Sequence, residues 1–193
     1  MTSERDVRFT VGFAFLIFSV LFLLNGIESL ADVRAMIAQS TTATVIARLT
    51  YTRWVWKWLP MWIHGVPLLE GSWDGTFEST GNDRTPAEKR NGTTKVTIRQ
   101  PSISRVRVVR ESAESRSQSS GESLVIDDDG SIRLLYTYLS IPNALVQERS
   151  PISYGTAKLN ASVDDLNNLK GDYWTDQKTT GVMALSRVLK SQI

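Results

Sequence analysis

Three pairs of residues alternate in a way that brings chemistry to one side of a strand. Tyr136 and Tyr138 are separated by Thr137 in the run 132–139, Arg105 and Arg107 by Val106 in 103–110, and Tyr173 and Thr175 by Trp174 in 169–175. In extended backbone successive side chains point to opposite faces, so each pair shares a face. Aromatic faces stack on nucleobases with little regard to sequence, and guanidinium groups grip phosphate oxygens through forked hydrogen bonds. Together they suit a small anionic ligand that carries planar rings. The same spacing also serves ordinary cross-strand contacts and the filling of a barrel interior.

Catalytic chemistry has little to work with. His64 is the only histidine and there is no cysteine, so one chain builds neither a His-paired nucleophile nor a multi-His metal site, and disulfides are excluded. Asp127, Asp128 and Asp129 lack the spaced oxygen ligands and distal Glu of a calcium loop and read as a solvated turn. No Gly-rich phosphate loop or nucleophile elbow is present. A non-enzymatic protein without a cofactor is the expectation. The triplets starting at Asn91 and Asn160 match glycosylation sequons, which matter only outside a eukaryotic cell.

Charge separates two regions. Residues 1–65 hold six Lys/Arg against four Asp/Glu and the remainder sixteen against sixteen, within a net charge of +2. The neutral C-terminal part lacks the basic face that duplex DNA or RNA requires.

The elements that position the chemistry come from this part, 66–193. Short β-branched and aromatic runs at 71–79, 93–100, 103–110, 123–126, 132–139, 153–160, 169–175 and 180–189 alternate with turn residues. Eight strands of this size suit a small eight-stranded antiparallel, lipocalin-like β-barrel, with a sandwich as the competing arrangement. Pro101-Ser102 reads as a corner, 127–130 as a hairpin turn, and 113–120 as a Ser-rich mobile loop.

Residues 1–65 read as a membrane α-helical hairpin, with transmembrane or interfacial helices at about 9–28 and about 42–62. The run 11–24 carries no charge; from 9 to 27 it reaches roughly 28 Å at about 1.5 Å per residue, close to bilayer thickness. The segment 44–62 is aromatic but holds Arg48, Arg53 and Lys57. Trp54, Trp58 and Trp62 would form one stripe on a helix, beside basic residues, as a membrane boundary favours, with a β-strand as the alternative. Arg5 and Arg8 at one end and Arg53 and Lys57 at the other place both termini in the cytoplasm. The competing reading takes Ser29-Leu30-Ala31 as a small-x-small cleavage site, which gives a secreted or periplasmic lipocalin-like carrier. The n-region lacks net positive charge, because Glu4 and Asp6 offset Arg5 and Arg8.

An ordered set of motifs adds to this. Gly71-Ser72-Trp73-Asp74-Gly75-Thr76-Phe77, then Ile98-Arg99-Gln100, Leu135-Tyr136-Thr137-Tyr138, Tyr154-Gly155-Thr156-Ala157-Lys158-Leu159, and Leu169-Lys170-Gly171-Asp172-Tyr173-Trp174-Thr175 with Gly181 follow two hydrophobic segments. The chain resembles the two-transmembrane, β-strand-rich effectors of bacterial CBASS antiphage systems, the SMODS-associating family. The resemblance implies a barrel that senses a cyclic dinucleotide or related cyclic oligonucleotide made by a cognate nucleotidyltransferase (CD-NTase). It further implies a homo-oligomer on activation, a multi-pass location in the bacterial inner membrane with the barrel on the cytoplasmic side, contact with membrane lipid, and membrane disruption as abortive infection. Tyr136, Tyr138, Tyr173 and Thr175 match family positions suited to lining the barrel; Arg105 and Arg107 follow from charge and alternation alone. Trp73 is expected to plug one end. A passive anchored barrel is the third alternative.

Overall fold

The structure, a computed structural model, describes residues 4–25, 29–81 and 89–189. The chain divides into two compact units, Met1–Trp58 and Leu59–Ile193.

In the first unit, helices α1 (Glu4–Asn25) and α2 (Leu30–Arg53) pack on one another. α2 begins where Ser29 and Asp32 form a reciprocal capping box: the Asp32 N–H donates to Ser29 Oγ at 3.2 Å, and the Ser29 N–H donates to Asp32 Oδ2 at 2.8 Å. Ser29 is thus the N-cap of a helix, with the extended backbone usual at that position. Met36, Ser40 and Thr44, one turn apart, form its buried stripe. The Ser40 and Thr44 hydroxyls donate to the carbonyls of Ile37 and Ser40 on their own helix, so small polar side chains are buried without orphaned groups. Exposed apolar side chains include Phe15, Leu23 and Leu24 on α1, whereas α2 exposes Ile46 and Leu49 among polar residues such as Arg34, Gln39, Thr41 and Thr42.

The second helix differs from the expected 42–62. It starts twelve residues earlier, because the capping box signals its start, and ends at Arg53 with Trp54 as its cap. A 3-10 turn follows at Val55–Trp58, and a separate four-residue helix, α3 (Met61–His64), starts after Pro60. Pro60 has no N–H to donate and restricts the residue before it. Trp54, Trp58 and Trp62 therefore do not share one helix, nor do they lie on a strand. Among the described residues no helix is long and apolar enough to cross a membrane; residues 26–28 of the expected first span lie outside them.

The second unit opens with α3, closed by Gly65 at φ 68°, a left-handed conformation that costs glycine little. His64 locks this corner: its Nδ1 accepts from the Val66 N–H at 3.1 Å and its Nε2 lies 3.1 Å from the Leu59 carbonyl. The lone histidine is a clamp on a turn.

Eight antiparallel strands then close into a barrel in chain order: β1 (Gly71–Ser79), β2 (Arg90–Ser102), β3 (Arg105–Ser112), β4 (Ser115–Ile126), β5 (Ser131–Pro142), β6 (Ser153–Ser162), β7 (Asp165–Thr175) and β8 (Thr180–Arg187), with β8 returning to β1. Closure leaves no sheet edge at β1 or β8. The 127–130 turn is as expected. Gly130 sits at φ 79°, Asp129 Oδ1 accepts from the Ser131 N–H, and Arg133 Nη2 donates to Asp127 Oδ1 at 2.6 Å. These contacts hold both carboxylates below their ordinary range, Asp127 chiefly through Arg133 and Asp129 through Ser131.

Two local readings are corrected. Residues 115–120 form strand rather than loop, since the flanking strands pair with them on both sides: Arg116 stands opposite Glu111 of β3 and Ile141 of β5. Serine's weak strand preference is overridden by available ladder partners. The corner between β2 and β3 falls at Ile103-Ser104, and Pro101 lies within β2 beside a register shift.

Along the inward faces polarity changes steadily from one end of the barrel to the other. β1 runs Trp73, Gly75, Phe77, Ser79; β3 runs Val106, Val108, Arg110, Ser112; β5 runs Ile132, Leu134, Tyr136, Tyr138, Ser140; β7 runs Leu169, Gly171, Tyr173, Thr175. One end is a sealed apolar core. The other is polar and open.

Candidate functional site

The sealed end shows why the ligand space must be elsewhere. Trp73 is fully buried, and its Nε1–H donates to the Leu69 carbonyl at 3.1 Å. Gln100, also fully buried, accepts from the Leu69 and Glu70 N–H groups at 2.7 and 3.0 Å and donates to the Pro67 carbonyl at 3.1 Å. Arg187 lies over the Trp73 ring at 4.7 Å and donates to the Leu68 carbonyl at 2.7 Å. Loss of hydration holds its pKa below the ordinary value. The segment 67–70 is thus stitched across the barrel, with Trp73 as the plug.

At the opposite end lies a cavity of about 480 Å3, within the range of roughly 300–1,000 Å3 typical of small-molecule sites. Phe77, Tyr138 and Tyr173 form its aromatic wall, and Thr175, Ser79, Ser112 and Ser140 add hydroxyls. Among the described residues its cations are Lys89, Arg90, Arg110 and Arg149, against one acid, Glu114, which pairs with Arg149. A neutral domain has concentrated positive charge in one mouth, where low-dielectric walls focus its field on an anion.

Arg110 is central to that charge. Its guanidinium lies 4.6 Å from the Phe77 ring centre and 5.6 Å from that of Tyr173, and its Nε donates to Thr94 Oγ1 at 3.0 Å. Among the described residues it makes no ion pair. Two aromatic faces and one hydroxyl fix its plane and leave its Nη donors for a ligand.

Glycines set the aromatic wall. Directly across the ladders, Phe77 faces Gly92, Tyr138 faces Gly155 and Tyr173 faces Gly181. A Cβ at Gly155 would stand 2.5 Å from Tyr138 Oη, and one at Gly181 2.5 Å from Tyr173 Cζ. Each ring occupies the space that a neighbour's missing side chain provides. The Phe77 and Tyr173 rings turn a face to the Arg110 guanidinium.

Burial raises the Tyr136 phenol to about 12 and raises Tyr138 as well, with the Arg110 charge opposing the shift at both. Both remain neutral hydrogen-bonding groups at physiological pH. The Thr175 hydroxyl is buried at the cavity without a hydrogen-bond partner, a group that a ligand would satisfy.

A family model described as "Cap15, cyclic dinucleotide receptor domain" matches residues 64–187, which include every strand of the barrel. The chain belongs to this Cap15 family. A relative from Staphylococcus schleiferi, CD-NTase-associated protein 15, is 26% identical over 155 residues, covering 79% of each chain. A solved redesigned β-barrel is 14% identical and covers 63% of this chain and 93% of its own, at a TM-score of 0.27.

Within this Cap15-family barrel the six residues singled out in sequence separate cleanly. Tyr138, Tyr173 and Thr175 line the cavity. Tyr136 lies one layer deeper, 3% exposed, with its ring centre 5.9 Å from that of Tyr138, so it backs the wall. Arg105 and Arg107 project outward into solvent and line no part of the cavity. Arg110 is the cavity arginine on that strand. Its signal was present, since it shares parity with the apolar Val106 and Val108, and an arginine closing an inward face marks a lumen better than two on the outward face.

Proposed function

We propose that the chain is the effector of a bacterial CBASS antiphage system whose barrel binds a cyclic dinucleotide at the cavity between Arg110, Tyr138 and Tyr173. The supporting observation is the Arg110 guanidinium held between aromatic faces in a cationic mouth, on a barrel that belongs to a cyclic dinucleotide receptor family. Bases stack on the tyrosine faces, a phosphate takes the Arg110 donors, and the Thr175 hydroxyl accepts a third contact. The ligand is the product of a cognate CD-NTase. The protein acts as a sensor and performs no chemistry on it.

Activation passes to the N-terminal helices. Ligand binding favours a homo-oligomer, and helices α1 and α2 then disrupt the inner membrane and kill the infected cell. The exposed apolar side chains of α1, among them Phe15, Leu16, Leu23 and Leu24, with Ile37, Val45, Ile46 and Leu49 on α2, support this, since exposed apolar surface seeks lipid or another helix. A ligand that prefers the assembled state shifts assembly by its differential affinity, and membrane tethering raises the effective concentration.

The deciding experiment is calorimetric titration of the detergent-solubilised full chain with a panel of cyclic dinucleotides, alongside co-expression with an active synthase. Saturable binding by the native chain, weakened at least tenfold in Arg110→Gln, together with toxicity that requires the synthase, supports the reading. Absence of binding across the panel overturns the ligand assignment. A mature chain recovered from a soluble fraction and starting at Asp32 overturns the membrane role in favour of a carrier.

A further inference from the structure

The outer wall at the plugged end carries arginines that the cavity does not use. Arg99 and Arg107 stand directly opposite one another across β2 and β3, and Arg105 follows opposite Ser102. All three are exposed, and among the described residues none makes an ion pair. Like charges placed directly across a ladder are destabilising. A polyanion resting on this patch would reverse the sign of that term.

Two acids border the patch, Glu70, whose N–H donates to Gln100 beside Arg99, and Glu122 of β4, which shares Ser119 with the Val108 N–H of β3; the other acids at this end lie elsewhere on the ring. Asp127, Asp128 and Asp129 occupy the β4–β5 turn, and Asp164 and Asp165 the β6–β7 turn. In a closed ring of eight strands the β6–β7 turn is diametrically opposite the β2–β3 corner. The plugged end therefore has a basic corner and an acidic corner.

This is also the end where the chain joins the barrel, since 67–70 is stitched down by Gln100, the residue after Arg99. Just before it, Trp62 is 83% exposed and Ile63 45%. Exposed tryptophan together with unpaired arginines fits the interface of an anionic bilayer, where the indole enters the headgroup layer and guanidinium groups meet phosphate. Three arginines on an otherwise neutral domain are too few for a duplex, whose affinity scales with the number of phosphates neutralised.

We propose that Arg99, Arg105 and Arg107 form a docking patch for anionic lipid headgroups, which tilts the barrel so that its β2–β3 corner faces the bilayer and its cavity mouth stays in water. The proposal rests on the membrane-anchored reading above and adds an orientation to it.

Hydrogen exchange on the full chain in nanodiscs tests it, comparing pure phosphatidylcholine discs with discs containing about one-third phosphatidylglycerol; amides across 99–107 should exchange roughly tenfold more slowly in the anionic discs. The slowing should vanish near about 1 M salt, where the Debye length is about 3 Å, and in the Arg99→Gln/Arg105→Gln/Arg107→Gln variant, whose cyclic dinucleotide affinity should be unchanged. Equal exchange in both lipids for a chain retained by both discs overturns the patch and leaves anchoring intact. A chain that leaves neutral discs but is held on anionic discs through these arginines overturns anchoring and keeps the patch. Equal slowing on addition of a short DNA duplex to neutral discs overturns lipid as the partner.

Discussion

The two ends of the barrel are built from the same eight strands and behave oppositely. At the plugged end the large polar side chains are tied to the backbone: Trp73 donates to Leu69, Gln100 holds three backbone groups, and Arg187 covers the indole and donates through Nη2 to Leu68, while its Nε is buried without a partner. At the open end the Thr175 hydroxyl is buried without a partner and Arg110 faces aromatic rings instead of a carboxylate. Buried polar groups are nearly always satisfied in stable cores. The difference teaches that one end is finished as structure, while the other is left to be completed by a ligand.

Breaking the finished end should cost most. Trp73→Ala is expected to lower unfolding free energy by about 3 to 5 kcal/mol in urea titrations, because it removes a fully buried indole and orphans the Leu69 carbonyl. A loss under 1 kcal/mol would show that the plug is not the keystone of that end.

The boundary layer can be probed by pH. The Tyr136 phenol is raised from 10.0 to about 12 by burial, so the neutral form is favoured in the fold. Its contribution is complete below about pH 10 and is lost as pH rises through about 12, a difference of roughly 2 to 3 kcal/mol. Chemical denaturation of native protein between pH 8 and 12 should show this decline, and Tyr136→Phe should make it shallower, the remainder coming from Tyr138, whose phenol is also raised by burial. A variant with the same alkaline slope would place the titrating group elsewhere.

At the open end, effects should appear in binding rather than in folding. Arg110→Gln is expected to weaken cyclic dinucleotide binding by about 1.5 to 3 kcal/mol, the range for hydrogen bonds to charged groups, with little change in melting temperature. Tyr138→Ala and Tyr173→Ala should each cost about 1 to 3 kcal/mol of binding through lost stacking. Wild-type affinity in all three would remove the cavity as the site.

The smallest effect sharpens the inside-outside distinction. Arg105→Gln and Arg107→Gln should change both stability and ligand affinity by less than about 0.5 kcal/mol, as exposed substitutions usually do. A tenfold loss of affinity for either would mean that ligand is read on the outer wall.

Much of this was legible in the chain. Alternation and turn residues give eight strands, β1 at its observed bounds of Gly71–Ser79, and the Asp127–Gly130 turn. Tyr138, Tyr173 and Thr175 emerge as a candidate set because period-two spacing specifies which residues share a face. Spacing does not specify which face is inside when both carry plausible chemistry, and β3 shows it: Arg105 and Arg107 alternate with Val106 and Val108, so a single-step shift exchanges lumen for solvent. Nor does it give depth, so Tyr136 and Tyr138 looked equivalent although one backs the other. Residues 115–120 became strand only because β3 and β5 offered them ladder partners on both sides.

The sequence by itself determined most of the strands and the Asp127–Gly130 turn, since local propensity and turn chemistry act without reference to distant parts of the chain. Tertiary structure decided which end was plugged, which arginine entered the lumen, and which glycine lay beneath each ring. Those outcomes depend on closing β8 onto β1 and on cross-strand register, which bring residues a hundred positions apart into contact and turn alternation into an inside and an outside.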